Sequence, residues 1–235
     1  MQIESDADVG WVVFLSRAPV ARATAAVAEA AGERSLFGYL ARQHAREGRE
    51  SYVEIDAPLE LYALARLARP EHVVEVGVSS GVSSAYLLSA LKRNRRGRLH
   101  SIDRPSHERA ARRRPSRTRS SWSLPPGRST GWAVPPRLLP GWDLRLGDMT
   151  YALPILFEQL PMVELLVFDV PHACSALERT LHRADARFPP GAIVIIDHGP
   201  GGGVCPAISR TARRWRSEAR LRVGLGLSGT YRPRS

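Results

Sequence analysis

Residues Val73 to Leu91 read V-V-E-V-G-V-S-S-G-V-S-S-A-Y-L-L-S-A-L, and the apolar spacing changes within them. Val73, Val74 and Val76 form a short run suited to a strand buried on both faces, as in a parallel sheet. A Gly/Ser-rich turn follows. Val82, Ala85, Leu88 and Leu91 then recur every three residues, with Tyr86 and Leu87 widening the apolar face of a helix. Strand, tight turn and helix start in that order bring unpaired backbone N–H groups into one crevice, a place suited to the polar part of a nucleotide-like ligand.

Upstream, Asp56 and Pro58 mark a helix start, and Leu61, Leu64, Ala65 and Ala68 follow the i, i+3, i+4, i+7 pattern before Pro70 stops it. Ala21 to Ala31 is alanine-rich and closed by Gly32. Glu33 to Glu47 presents Leu36, Phe37 and Leu40 on one side, with Gly48 beyond its end. These two helices are expected to form an N-terminal cap over residues 1–56. Residues 1 to 20 add no element beyond the apolar run Val9 to Leu15.

Downstream, Arg98 to Ile102 reads as a strand ending at Asp103, Trp142 to Leu146 as a third, and Val163 to Phe168 as a fourth ending at Asp169. A short helix is expected to begin near Pro154 and stop before Pro161. Leu177, Leu181, Ala184 and Phe188 mark another helix, Ala192 to Ile196 a fifth strand running into Asp197-His198, and Ile208, Ala212, Trp215 and Ala219 a last helix after Pro206. Leu221 to Leu227 leaves room for one further strand. The alternation predicts an α/β fold over residues 57–235, a doubly wound, mostly parallel sheet. Residues 104–141 interrupt it as a basic Pro/Arg/Ser-rich insertion, long enough to be either functional or disordered. Trp122 and Trp132 speak against a purely solvated segment.

Composition narrows the class. At 43% hydrophobic residues the chain is globular, and no apolar run approaches the roughly 20 residues of a membrane span. Glu4, Asp6 and Asp8 stand where a signal peptide would be positive, so a cytoplasmic location is expected. Cys174 and Cys205 lack metal-type spacing and read as reduced thiols, Cys174 as packing. The formal charge is +11, and Lys92 to Arg119 holds twelve basic and two acidic residues, a local surplus of ten. Lys92 is the single lysine, an arginine bias that fits a solvated basic loop as well as a nucleic-acid patch.

Glu75, Asp103, Asp148, Asp169 and Asp197 each stand at or near a strand's carboxyl end, the edge at which open α/β sheets bind ligands. E-V-G-V-S-S-G, S-I-D, R-L-G-D, F-D-V-P-H and I-I-D-H, in that order from Tyr52 to His198, resemble the class I S-adenosylmethionine-dependent methyltransferases of the small-molecule O-methyltransferase-like kind. That resemblance implies a Rossmann-like fold. The stretch P-P-G-R-S-T-G-W-A-V-P also resembles an insertion found in some bacterial members.

By position, the resemblance places Glu75, Gly77, Ser79 and Gly81 in the loop facing the cofactor's methionine portion, Ser79 standing where glycine is commoner. Gly77 and Gly81 permit close approach or unusual φ, while Glu75 can orient the turn or bind the amino group. Asp103 lies 26 residues after Gly77 (103 − 77), near the spacing at which an acidic residue reaches ribose hydroxyls. Asp148 matches the acceptor for the adenine amino group. Each aspartate can also be read as a helix cap or turn former.

Methyl transfer from a sulfonium is an in-line displacement, needing an aligned nucleophile and often a base. Asp169, His172, Asp197 and His198 occupy the rim where this would occur. His172 leads as general base, with an alternative reading as a histidine bonded at a helix start beside Asp169. Similar enzymes often hold a divalent cation such as magnesium on oxygen ligands. Asp169 and Asp197 fit that set, but His198 stands where a second Asp or Asn is expected, Pro171 occupies an often acidic place, and imidazole favours a transition metal. The expected partner is a small-molecule acceptor, with no membrane; a homo-oligomer is compatible with this. RNA or DNA on the insertion, or a noncatalytic S-adenosylmethionine-binding module, are the rivals.

Overall fold

Val73, Val74 and Val76, Leu165 to Phe168 and Ala192 to Ile196 put apolar side chains on both faces of their strands, so both faces need cover. The computed structural model of the chain describes residues 9–46, 58–104, 124–125, 127–169, 180, 185–197 and 221–225. Its strands are β1 His72–Val76, β2 Arg98–Asp103, β3 Trp142–Leu146, β4 Leu165–Asp169, β5 Ala192–Asp197 and β6 Leu221–Leu225. They form one sheet in the order β3-β2-β1-β4-β5-β6, every neighbouring pair parallel. The Rossmann-like, doubly wound class expected from the sequence is what the chain adopts. The order reverses between β1 and β4, so the crevice beyond the carboxyl ends opens beside the Val73–Leu91 stretch.

Alternate residues divide the core. Val73, Leu99, Leu165, Val167, Ile193 and Ile195 face one way and pack with helices α1 Val9–Ser16, α2 Val20–Ala31, α3 Arg34–Arg46, α4 Leu59–Ala68 and α5 Val82–Asn94. Val74, Val76, Ile102, Leu166, Phe168, Val194 and Ile196 face the other way, onto α6 Met149–Gln159 and Phe188. The N-terminal helices thus share the core of the sheet's first face. A polar seam tightens the join: the Glu29 carboxylate on α2 accepts from the Tyr62 hydroxyl at 2.7 Å and from Arg66 Nε at 2.8 Å, and forms an ion pair with Arg93, Nε to Oε1 2.6 Å. Arg66 also reaches Asn94 Oδ1, whose Nδ2 donates to the Ala65 carbonyl at 2.8 Å. Among the described residues no helix is long and apolar enough to cross a membrane.

Two elements differ from expectation. Val9 to Leu15, an apolar run with no element of its own in the sequence pattern, is helical in α1, burying Val12 and Leu15 completely. Apolar residues run all round it, so no one-sided stripe betrays the period. Helix α6 begins at Met149, five residues before Pro154, because the Asp148 side chain accepts from the Thr150 N–H at 2.9 Å. Pro154 sits inside α6 and leaves only the Thr150 carbonyl without its i+4 donor. The helix expected over Leu177–Phe188 falls mostly outside the described residues, and the one expected after Pro206 wholly so.

Candidate functional site

The turn between β1 and α5 leaves the strand at Gly77, whose N–H donates to the Ile102 carbonyl at 3.0 Å. Gly77 has φ of 94°, Ser79 51° and Gly81 90°. Three left-handed positions in five residues fold the chain back sharply enough to start α5 at Val82, directly above the sheet edge. The first N–H groups of that helix lack intrahelical acceptors and carry its positive dipole end. Gly81 is required twice over: L residues rarely hold that φ, and a Cβ there would lie 2.5 Å from Val134 Cγ2. What approaches Gly81 so closely is therefore the chain's own insertion.

Glu75 does not stand at the rim. It is one residue short of the end of β1, 1% exposed, and points onto the face covered by α5. Its Oε1 accepts from Ser83 Oγ at 2.6 Å; its Oε2 accepts from Ser84 Oγ at 2.6 Å and Ser101 Oγ at 2.7 Å. Trp142 Nε1 donates to Ser101 Oγ at 2.8 Å, extending the chain to β3. Burial pushes the Glu75 carboxyl above its ordinary range, the serine bonds oppose this, and nearby Asp103 adds to the rise. The geometry is that of a buried peg joining β1, β2 and the first turn of α5.

Asp103 ends β2, is partly exposed, and accepts from Thr130 Oγ1 at 2.8 Å. Its own carbonyl accepts from the Gly147 N–H at 2.9 Å, tying the end of β3 to the same corner. Asp148 lies two residues beyond β3 and caps α6: Oδ1 accepts from the Thr150 N–H and, at 2.7 Å, from its hydroxyl, while Oδ2 meets Arg104 at 3.1 Å. The Thr150 bonds, with Arg104 assisting, lower the Asp148 carboxyl below its ordinary value. The capping reading of Asp148 is thus the geometry observed.

Asp169 and Asp197 end β4 and β5 and are register partners, which puts their backbones at neighbouring-strand spacing of about 4.8 Å. His172 and His198, the base candidate and its companion, lie outside the described residues, as do Pro171, Cys174 and Cys205. Among the described residues no group of three or more His, Cys, Asp or Glu side chains is placed to hold a metal ion.

The insertion is the main surprise. Leu124, Ala133, Val134 and Leu138 are buried in the core, so its latter part is packed structure and not a solvated loop; residues 105–123 lie outside the described set. The Gly131 N–H donates to the Ser79 carbonyl at 2.8 Å and the Ala133 N–H to the Ser80 carbonyl at 3.0 Å. The Trp132 ring meets the His44 ring at 4.8 Å and the Arg128 guanidinium at 5.3 Å, the first contact joining α3 to the insertion. Sequence reasoning passed over Ser83, Ser84, Ser101 and Thr130. A serine pair opening an apolar helix, with another serine inside the otherwise buried β2, was a readable signal for the first three. Thr130 had none.

The family model described as Methyltransferase domain matches residues 74–198, more than half of the chain. A comparison with curated proteins finds no match.

Proposed function

The chain belongs to the methyltransferase-domain family of class I S-adenosylmethionine-dependent enzymes, and from that premise we propose that it methylates a small-molecule acceptor at oxygen. The observation that carries the reading is the Gly77–Gly81 turn at the strand-order switch with Asp103 at the adjoining strand end. S-adenosylmethionine supplies, when bound, a sulfonium methyl group open to in-line displacement. The residues present suit it. The turn and the opening N–H groups of α5 would take the methionine portion, and Asp103 the ribose hydroxyls, since a carboxylate has about four acceptor positions and Thr130 uses one. Asp148, already a cap and the partner of Arg104, is the less suited carboxylate for the adenine amino group.

The acceptor would lie on the β4–β5 side of the rim, where Asp169 and Asp197 are neighbours and His172, with His198, would take the acceptor's proton. The N-terminal helices support a small enclosed acceptor, because α3 reaches the insertion through His44 and Trp132 beside the turn. A nucleic acid on the basic insertion is the rival reading, favoured by the charge surplus of residues 92–119.

Calorimetric titration with S-adenosylmethionine and S-adenosylhomocysteine tests the central claim. The wild-type protein is expected to bind both, and Asp103→Ala to lose roughly 10- to 100-fold in affinity, the worth of hydrogen bonds to a charged group. No binding by the wild type would sink the reading. RNA binding that falls steeply with salt and disappears when Arg112 to Arg119 is deleted would favour the rival acceptor.

A further inference from the structure

The latter part of the insertion touches the turn at Ser79, Ser80 and Gly81. Ser79 adopts a left-handed φ of 51° that costs a non-glycine residue about 1–2 kcal/mol, and its carbonyl is taken by the Gly131 N–H. The next carbonyl, of Ser80, is taken by the Ala133 N–H. Val134 fills the space over Gly81, and Gly131 sits so tightly on the Trp142 ring that a Cβ would lie 2.2 Å from Cη2. Trp142 in turn donates to Ser101, and Ser101 to Glu75. Insertion, turn and buried peg thus close one ring of contacts.

Thr130 immediately precedes Gly131 on the same strap. It is 5% exposed, and its hydroxyl donates to the carboxylate at the end of β2. We propose that residues 127–141 are a built-in clamp of the cofactor turn and that Thr130 is a positioning residue, orienting Asp103 toward the ribose hydroxyls; this rests on the cofactor reading above. Without its hydroxyl bond the Asp103 side chain regains rotamer freedom, and fixing it again on binding costs affinity. Valine at position 130 keeps the shape and removes the donor. Serine keeps the donor.

The test is titration with S-adenosylhomocysteine of wild type, Thr130→Val and Thr130→Ser, each also combined with Asp103→Ala. Thr130→Val is expected to weaken binding about tenfold. Thr130→Ser should restore most of that loss. In the Asp103→Ala background, which has no acceptor for the Thr130 hydroxyl, the valine change should cost less than about twofold, because the two residues act through one bond. Should Thr130→Val fail to fold, Thr130→Ala takes its place in the same cycle. Undiminished binding by the donor-free variant overturns the proposal, as does a loss that serine does not rescue or that persists in full without the Asp103 carboxylate. Absence of binding by the wild type overturns the cofactor reading itself, a result distinct from all of these.

Discussion

Glu75 sets an ionisable group where water does not reach, and its three serine partners decide what that means. Its hydrogen bonds go to Ser83, Ser84 and Ser101, and at 1% exposure the carboxylate is buried. Its folded-state pKa is raised, burial being the main cause. A raised carboxyl contributes stability that is fully present below its ordinary value of 4.5 and is lost as pH rises through the folded value. Glu75→Gln has no such titration. The stability of Glu75→Gln relative to wild type, from urea unfolding between pH 4.5 and 8, should therefore grow with pH. A difference that stays flat or shrinks contradicts the buried-peg account. Affinity for S-adenosylhomocysteine should change by less than about threefold, since the net worth of a direct hydrogen bond to a charged group would show as a larger loss. A tenfold loss would place the carboxylate on the ligand.

Among elements, the insertion departs most from what its composition implied. Arginine, serine and proline mark it as loop, yet Gly127, Gly131 and the buried apolar residues shape its second half into a packed strap. Two glycines with nearly equal φ separate backbone strain from crowding. Gly127 has φ +76° and nothing within 4 Å of a Cβ, whereas Gly131 has φ +73° and meets Trp142. Gly127→Ala should cost only the left-handed conformation, about 1–2 kcal/mol. Gly131→Ala should cost about 2–4 kcal/mol, since overpacking adds to the same strain, and should also weaken S-adenosylhomocysteine binding. Thermal unfolding checks the ranking; equal destabilisation by the two would remove the strap's contact with Trp142 as a structural cause. The elements legible from the sequence were those with one-sided or two-sided periodicity: β1 to β5 and helices α2 to α5 fall within a few residues of expectation. Helix α1 is apolar all round and shows no one-sided stripe, and the start of α6 rests on the Asp148 cap rather than on the later Pro154.

For the whole molecule, α1 to α5 and one face of the sheet form a single buried cluster, with Glu29 bridging α2 to α4 and α5. The N-terminal helices are expected to unfold with the sheet. Near-UV and far-UV circular dichroism should give coincident urea transitions for the full chain. A variant lacking residues 1–56 would expose the apolar side of α4, whose Leu61, Tyr62 and Leu64 are at most 1% exposed, and should bind a hydrophobic dye and lose its cooperative transition. Two separated transitions in the full chain would instead make the cap a domain of its own.

The sequence by itself determined the alternation of strands and helices, the location of the turn and the set of acidic residues near one edge of the sheet. These features are written in neighbours two to four residues apart, where periodicity, turn residues and caps act. Tertiary structure alone decided which way three of those carboxylates point and what they meet. Glu75 turns inward to a serine 26 residues away, Asp148 is spent on its own helix, and Asp103 is met by a threonine 27 residues downstream. Such pairings depend on strand register and on where a long crossover lands, and no local pattern encodes either.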